Sequence, residues 1–175
     1  MMKYIQYLAL SLFLSSCDSG DFFSVPNEGG DGNYNYDSSS IYFDDRGDQS
    51  ERGRNTGSFD MSLAGSEAYL SIYPRLGWSY DLVLINLTEH TLSNGSVVTS
   101  FSIQRNTQYI NGAYSDDDEF RVDGTRTIDL EDNGSTIGTY DGLIYENGEI
   151  VFEFESINIS SGAYTITTIN AYLVD

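Results

Sequence analysis

Carboxylates are the groups this chain holds in quantity, and where they crowd together they could hold a hard cation. Asp116-Asp117-Asp118-Glu119 sets four acids in a row just before the apolar positions Phe120 and Val122. Calcium is bound by several such oxygens at once, so these four residues form the candidate metal site. Its plain alternative is a hydrated loop whose like charges repel. Asp31-Gly32-Asn33-Tyr34-Asn35-Tyr36-Asp37 also places oxygen side chains at alternate positions, like the opening of a calcium loop. It departs from that pattern at Tyr36, where a turn glycine belongs, and lacks the later bidentate glutamate. Calcium is the one cofactor the sequence suggests.

Paired carboxylates also serve acid–base catalysis. Glu153 and Glu155 share a strand face about 6.7 Å apart along the chain, near the separations glycosidases use. Glu149 and Val151 occupy the same face, and a solvated outer row is the simpler reading. Nucleophilic chemistry needs a base beside the nucleophile. His90 is the only histidine, in Glu89-His90-Thr91, where the sequence suggests an exposed turn. No Gly-x-Ser-x-Gly elbow is present, and soft ligands are too few for zinc. The sequence does not read as an enzyme. Trp78 and Tyr80, in Pro74-Arg75-Leu76-Gly77-Trp78-Ser79-Tyr80, are the candidate ligand contacts, because an aromatic face with a polar tip suits stacking on sugars. Tyrosines are also simply good strand formers. Arg46-Gly47-Asp48 spells a tripeptide used by some integrin ligands, a match too short to carry a role.

Cys17 is the only cysteine, so it has no internal disulfide partner. It follows Met1-Met2-Lys3, a mostly apolar run from Tyr4 to Phe13, and then Leu14-Ser15-Ser16. A spanning helix needs roughly 20 apolar residues; this run is shorter and matches the apolar region of a signal peptide. The segment resembles the type II signal peptides of bacterial lipoproteins, which want Leu at −3, small residues at −2 and −1, and Cys at +1. That resemblance covers residues 1–17 only. It implies diacylation of the Cys17 thiol, cleavage before Cys17, and acylation of the new amino terminus. Residues 1–16 are then a signal peptide and the protein is extracytoplasmic, held on a membrane by lipid. Asp18 resembles an inner-membrane retention signal of enteric bacteria, whereas in other lineages acids near this point accompany surface display. The reading favours the outer membrane.

After Cys17 the chain carries 27 acidic residues against 7 basic ones, all arginine. Nucleic-acid binding requires cationic side chains that displace phosphate counterions, and this charge repels polyanions and anionic headgroups alike. Nucleic acid is excluded as a partner. An envelope protein or a glycan remains open.

These residues need a scaffold, and the pattern around them is β. Residues 17–40 read as the lipidated cysteine and a tether rich in Asp, Ser, Gly and Asn. Residues 41–175 read as one antiparallel domain, with a short strand at 41–43 and a polar loop over 44–57. Phe59/Met61/Leu63, Ala68/Leu70/Ile72, Val97/Thr99/Phe101/Ile103 and Ile150/Phe152/Phe154 alternate with polar or outward residues, the period of half-buried strands. Tyr80–Leu87 is apolar on both faces, as expected of a strand covered on both sides, and the phase near Thr167-Thr168 suggests a bulge. Asn94-Gly95, Asn111-Gly112, Asn133-Gly134 and Asn147-Gly148 supply the positive φ of tight hairpins. Together these predict a single antiparallel β-sandwich or β-barrel of about eight to ten strands. The functional expectation is a lipid-anchored envelope lipoprotein with a non-catalytic binding or structural role. A carbohydrate- or calcium-dependent surface module and a lipocalin-like carrier of a small apolar ligand are the alternatives.

Overall fold

The computed structural model describes residues 32–75, 78–112 and 115–174. The strands are β1 (Gly32–Phe43), β2 (Gln49–Ala64), β3 (Glu67–Arg75), β4 (Trp78–Thr91), β5 (Val97–Ile103), β6 (Asn106–Gly112), β7 (Ser115–Gly124), β8 (Ile128–Asp132), β9 (Ser135–Tyr140), β10 (Gly142–Tyr145), β11 (Glu149–Asn158) and β12 (Tyr164–Leu173). The main sheet runs β10-β5-β4-β3-β2-β1-β12-β11-β7-β6, and β10 also pairs with β11, so the sheet closes on itself as an antiparallel barrel. β8 and β9 form a separate hairpin. The all-β antiparallel domain expected from the sequence is therefore a barrel.

Eight staves make the ring, and two of them are composite. β5 continues through Gln104 and Arg105 into β6. Beside it, β10 pairs with β5 and β7 pairs with β6. β10 and β7 both pair with β11, at Ile150–Phe152 and Phe154–Asn158 respectively. They thus lie end to end in one stave, interrupted by the excursion that carries the β8–β9 hairpin.

Alternation along the strands fills the interior. Tyr34, Phe59, Met61, Leu70, Ile72, Leu82, Leu84, Phe101, Ile103, Ile150, Phe152, Phe154, Ile169 and Ala171 are all buried in one core. An eight-stranded barrel is just wide enough for side chains to fill it or for one small ligand. Here aromatic rings occupy much of that width: Tyr34 stacks on Phe59 at 5.3 Å, Phe101 meets Phe152 edge-on at 6.1 Å, and Phe152 stacks on Phe154 at 6.5 Å. A second cluster lies outside the ring. Val98 and Leu143 point outward from β5 and β10 and are covered by Leu130 of the hairpin, with Ile128 and Tyr140 alongside.

The seam between β7 and β10 is held by one buried carboxylate. Asp141, only 3% exposed, accepts hydrogen bonds from the backbone N–H of Ile103 at 2.8 Å and of Arg126 at 2.7 Å. Its own carbonyl accepts from Glu153 N–H at 2.9 Å. The carboxylate lies where a β-carbon on Gly124 would sit, and Phe101 lies where one on Gly142 would sit. Glycine at both positions lets the composite stave close.

Several expectations are corrected. β1 starts at Gly32, so residues 32–40 belong to the barrel and the tether does not reach Ser40. With Asn, Asp and Ser outward and only Tyr34 and Tyr36 as large inward residues, the composition hides a strand. In this stretch Asn33, Asn35 and Asp37 lie on an extended strand rather than in a loop, and Asp31 lies outside the described residues. The polar loop shrinks to 44–48, closed by Asp44, whose Oδ1 accepts from Arg46 N–H and Asp48 N–H. β12 has no bulge: it pairs with β1 in unbroken register from Leu173 to Tyr164, with Thr167 simply occupying an inward place. β4 is not covered on both sides. Asn86 at φ 56° lies in a register shift that reverses the strand's phase, so Leu87 turns inward while Val83 and Ile85 remain part-exposed. Three of the four Asn-Gly turns behave as expected, with positive φ at Gly95, Asn133, Gly134 and Gly148, whereas Asn111-Gly112 ends β6.

Because the Asp141 carboxylate holds two N–H groups at the seam, Asp141→Ala leaves both unpaired, at about 1–3 kcal/mol each. Gly124→Ala forces a methyl into the same space, at about 1–3 kcal/mol. Urea denaturation monitored by circular dichroism is expected to show both losses; wild-type midpoints for both variants would contradict the assignment of the seam.

Candidate functional site

On the outer wall, β3 presents Glu67, Tyr69, Ser71 and Tyr73 in one column, while Ala68, Leu70 and Ile72 point into the core. Tyr69 and Tyr73 are 44% and 57% exposed. Four residues apart on a strand, their Cα atoms stand about 13 Å from each other. Ser71 lies between them. Its cross-strand partner on β4 is Asp81, and on β2 the register that pairs Met61 with Leu70 puts Asp60 on its other side. Tyr69, Ser71, Tyr73, Asp60 and Asp81, with Ser58, line an open groove of about 540 Å³.

A polar row crosses the groove. Asn33 Nδ2 donates to Asp60 Oδ1 at 3.0 Å, and the Ser71 hydroxyl donates to Asp81 Oδ1. Both carboxylates thus have neutral partners. Among the described residues, the ion pairs are those of Asp123, with Arg105 and Arg121. Tyr69 donates its hydroxyl to Glu67 Oε2 at 2.5 Å, and that bond, reinforced by the carboxylate's charge, pushes the phenol's pKa upward. A shallower neighbouring groove, lined by Asn35, Asp37, Thr56 and Ser58, reaches Tyr172 on β12, which is 52% exposed. The wall from β12 to β4 therefore carries three exposed tyrosine rings among amides, hydroxyls and carboxylates.

Tyr80 is 4% exposed and belongs to the core: its ring meets Phe154 edge-on at 5.3 Å and its hydroxyl donates to Ser156 Oγ at 3.1 Å. It is not an accessible contact, because an odd offset from Asp81 turns it inward. Trp78 begins β4 opposite Arg75, and its side chain lies outside the described residues. Asp116, Asp117, Asp118 and Glu119 fall on β7. Glu119 is half-buried, and the side chains of the other three lie outside the described residues, as does Cys17. Among the described residues, no group of three or more His, Cys, Asp or Glu side chains is gathered to hold a metal.

His90 lies within β4, paired with Val98, rather than in a turn. Its Nε2 is 2.8 Å from Ser100 Oγ, and its ring packs on Tyr140 at 5.4 Å. Ser100 is 1% exposed, so this pair faces the covering hairpin and offers no open nucleophile. Glu153 and Glu155 do not form a solvated row. Glu153 accepts hydroxyl bonds from Thr127 and Thr168, each at 2.8 Å. Glu155 is half-buried opposite Asp123. Burial chiefly, and then the Asp123 charge, push its carboxyl above the usual range, against the opposing pull of Arg121.

No family model matches the chain, and no curated protein or solved structure matches it either.

The exposed column on β3 escaped sequence reading because Tyr69 and Tyr73 look like ordinary strand tyrosines. The signal was their odd spacing from the buried Leu70 and Ile72, which marks them as outward.

A carboxyl whose pKa is raised on folding contributes most below its unfolded pKa, and that contribution is lost as pH rises through the folded value. Glu155→Gln is therefore expected to raise the melting temperature at neutral pH, with the gain vanishing under acidic conditions. Melting curves of both proteins across pH 3–8 (about the carboxylate range and above) test this; a gain independent of pH would refute it.

Proposed function

We propose that this chain is a bacterial envelope lipoprotein whose barrel is a binding domain rather than a catalyst, held outside the cytoplasm by lipid on Cys17. The observation that carries the anchor is the sequence Leu14-Ser15-Ser16-Cys17 at the end of a short apolar run behind Lys3. Two or more acyl chains give stable attachment where one gives only marginal attachment. Fourteen residues separate Cys17 from the first strand residue, Gly32.

Binding is favoured over catalysis by what the described side chains are occupied with. The one histidine is committed to a covered serine, and Glu153 to two threonine hydroxyls. The outer wall, in contrast, leaves tyrosine faces and carboxylates open to solvent. Closure of the sheet also favours a second reading, a carrier of a small apolar molecule, since eight-stranded barrels serve that role. The interior rings of Tyr34, Phe101, Phe152 and Phe154 occupy much of the space such a ligand would need, so the wall is the better-supported binding face.

Cys17→Ser is expected to abolish metabolic labelling with a radioactive fatty acid and to shift the protein from the membrane to the soluble fraction of lysed cells. Retention of label by the variant would overturn the anchor.

A further inference from the structure

We propose that the groove on the β2–β4 wall binds a linear aliphatic polyamine, a chain bearing two or more ammonium groups, between Tyr69 and Tyr73. The proposal rests on the reading of the barrel as a binding domain and names the ligand of that wall. Three features of the groove point to this chemistry.

The first is charge. Asp60 and Asp81 flank Ser71 on neighbouring strands, about 10 Å apart at two strand spacings. Their protein partners are the Asn33 amide and the Ser71 hydroxyl, both neutral. Each carboxylate keeps an oxygen for another donor. Two ammonium groups, one on each carboxylate, would neutralise a pair of charges that the described protein groups leave uncompensated.

The second is the aromatic pair. Tyr69 and Tyr73 bracket the carboxylates from both ends of the groove, and tyrosine faces attract ammonium groups. They also offer apolar surface to the methylene chain joining them. The hydroxyl of Tyr69 is bound to Glu67, which fixes one end of that phenol.

The third is the field of the whole chain. With 27 acidic residues against 8 basic, the protein attracts cations and repels phosphate or carboxylate ligands. A bare metal ion suits the groove less well, because no third acidic ligand is gathered with Asp60 and Asp81 among the described residues. A neutral sugar would use the tyrosines but leave the carboxylate charges unmatched. The volume of about 540 Å³ is on the scale of small-molecule sites.

Isothermal titration of the full chain in a neutral detergent with spermidine tests the proposal. Saturable binding of one spermidine per protein is expected at low salt, weakening as ionic strength rises and the Debye length shrinks from about 30 Å to about 8 Å. Asp60→Asn with Asp81→Asn is expected to weaken binding about tenfold or more, and Tyr69→Leu with Tyr73→Leu several-fold. Glu89→Gln with Glu131→Gln removes the same charge at exposed positions outside the groove and is expected to leave the affinity unchanged. All six positions are on outward faces, and wild-type melting curves check that the variants fold. Absence of saturable binding, or an equal loss in both carboxyl double variants, would overturn the proposal; the latter would show a diffuse counterion effect. Binding of a neutral oligosaccharide that responds to the tyrosine pair, without binding of spermidine, would overturn the cation while leaving the barrel a binding domain.

Discussion

The fold depends on completing a ring of backbone hydrogen bonds whose ladders do not all meet. A sheet that closes on itself has no free edge, but only if every stave has a partner along its full length. Here two staves are composite, and side chains complete the ring where strand ladders stop. Asp141 accepts the N–H of Ile103 and of Arg126 at the seam of β7 and β10. Beside β4, the backbone N–H of Gln104 in the link from β5 to β6 bonds Val83 O at 2.8 Å. Further along, the Gln108 amide exchanges both of its bonds with the backbone of Asp81, as a facing residue in a ladder would. Between β2 and β3 the paired register stops at Met61 and Leu70, and the Tyr36 hydroxyl accepts the N–H of Tyr73 at 3.2 Å. Leaving such groups unpaired in a protein interior costs about 1–3 kcal/mol each.

Glycines make these repairs sterically feasible. Tyr36 pairs across strands with Gly57, and its ring passes over the position a β-carbon there would fill. That path carries the hydroxyl from β1, across β2, to the backbone of β3. Gly142 gives Phe101 the same freedom at the other side of the barrel. In both places an aromatic ring covers a residue with no side chain, restoring the packing that glycine loses in a strand. Burial has an electrostatic cost at one of these bridges: it pushes the Tyr36 phenol's pKa upward, offset in part by the bond to Tyr73. A neutral hydroxyl is the form that suits this site.

Period-two alternation made the strands from Phe59 to Ile103 and from Ile150 onward legible, and asparagine–glycine pairs located the hairpins. Closure was not legible, because it rests on partners far apart in sequence, such as β1 with β12 and β10 with β5. β1 was hidden for a different reason. Its inward residues after Tyr36 include Ser38, whose hydroxyl bonds Asn55 O at 3.0 Å, so the pattern lacks the apolar marks that reveal a strand. At Asn86 the single-residue phase change made one strand look like a doubly covered one. Tyr80 failed as a contact candidate because proximity to a turn says nothing about which face a side chain takes.

The same alternation explains why any recognition by the β1–β4 wall takes place on its convex side. Along β3 each inward residue is small or branched and fully packed, while each outward residue carries a hydroxyl or a charge, so the strand separates a closed interior from a chemically varied exterior. The outward tyrosines Tyr69 and Tyr73 lie on the face opposite the buried Leu70 and Ile72. A wall of this kind can vary its ligand contacts without disturbing closure, since the bridging groups at Asp141, Gln108 and Tyr36 use backbone partners. Asp81 and Tyr73 belong to both systems, giving their backbones to Gln108 and to the Tyr36 hydroxyl and their side chains to the groove. That division ties the groove's position to the ring while leaving its charge free to act.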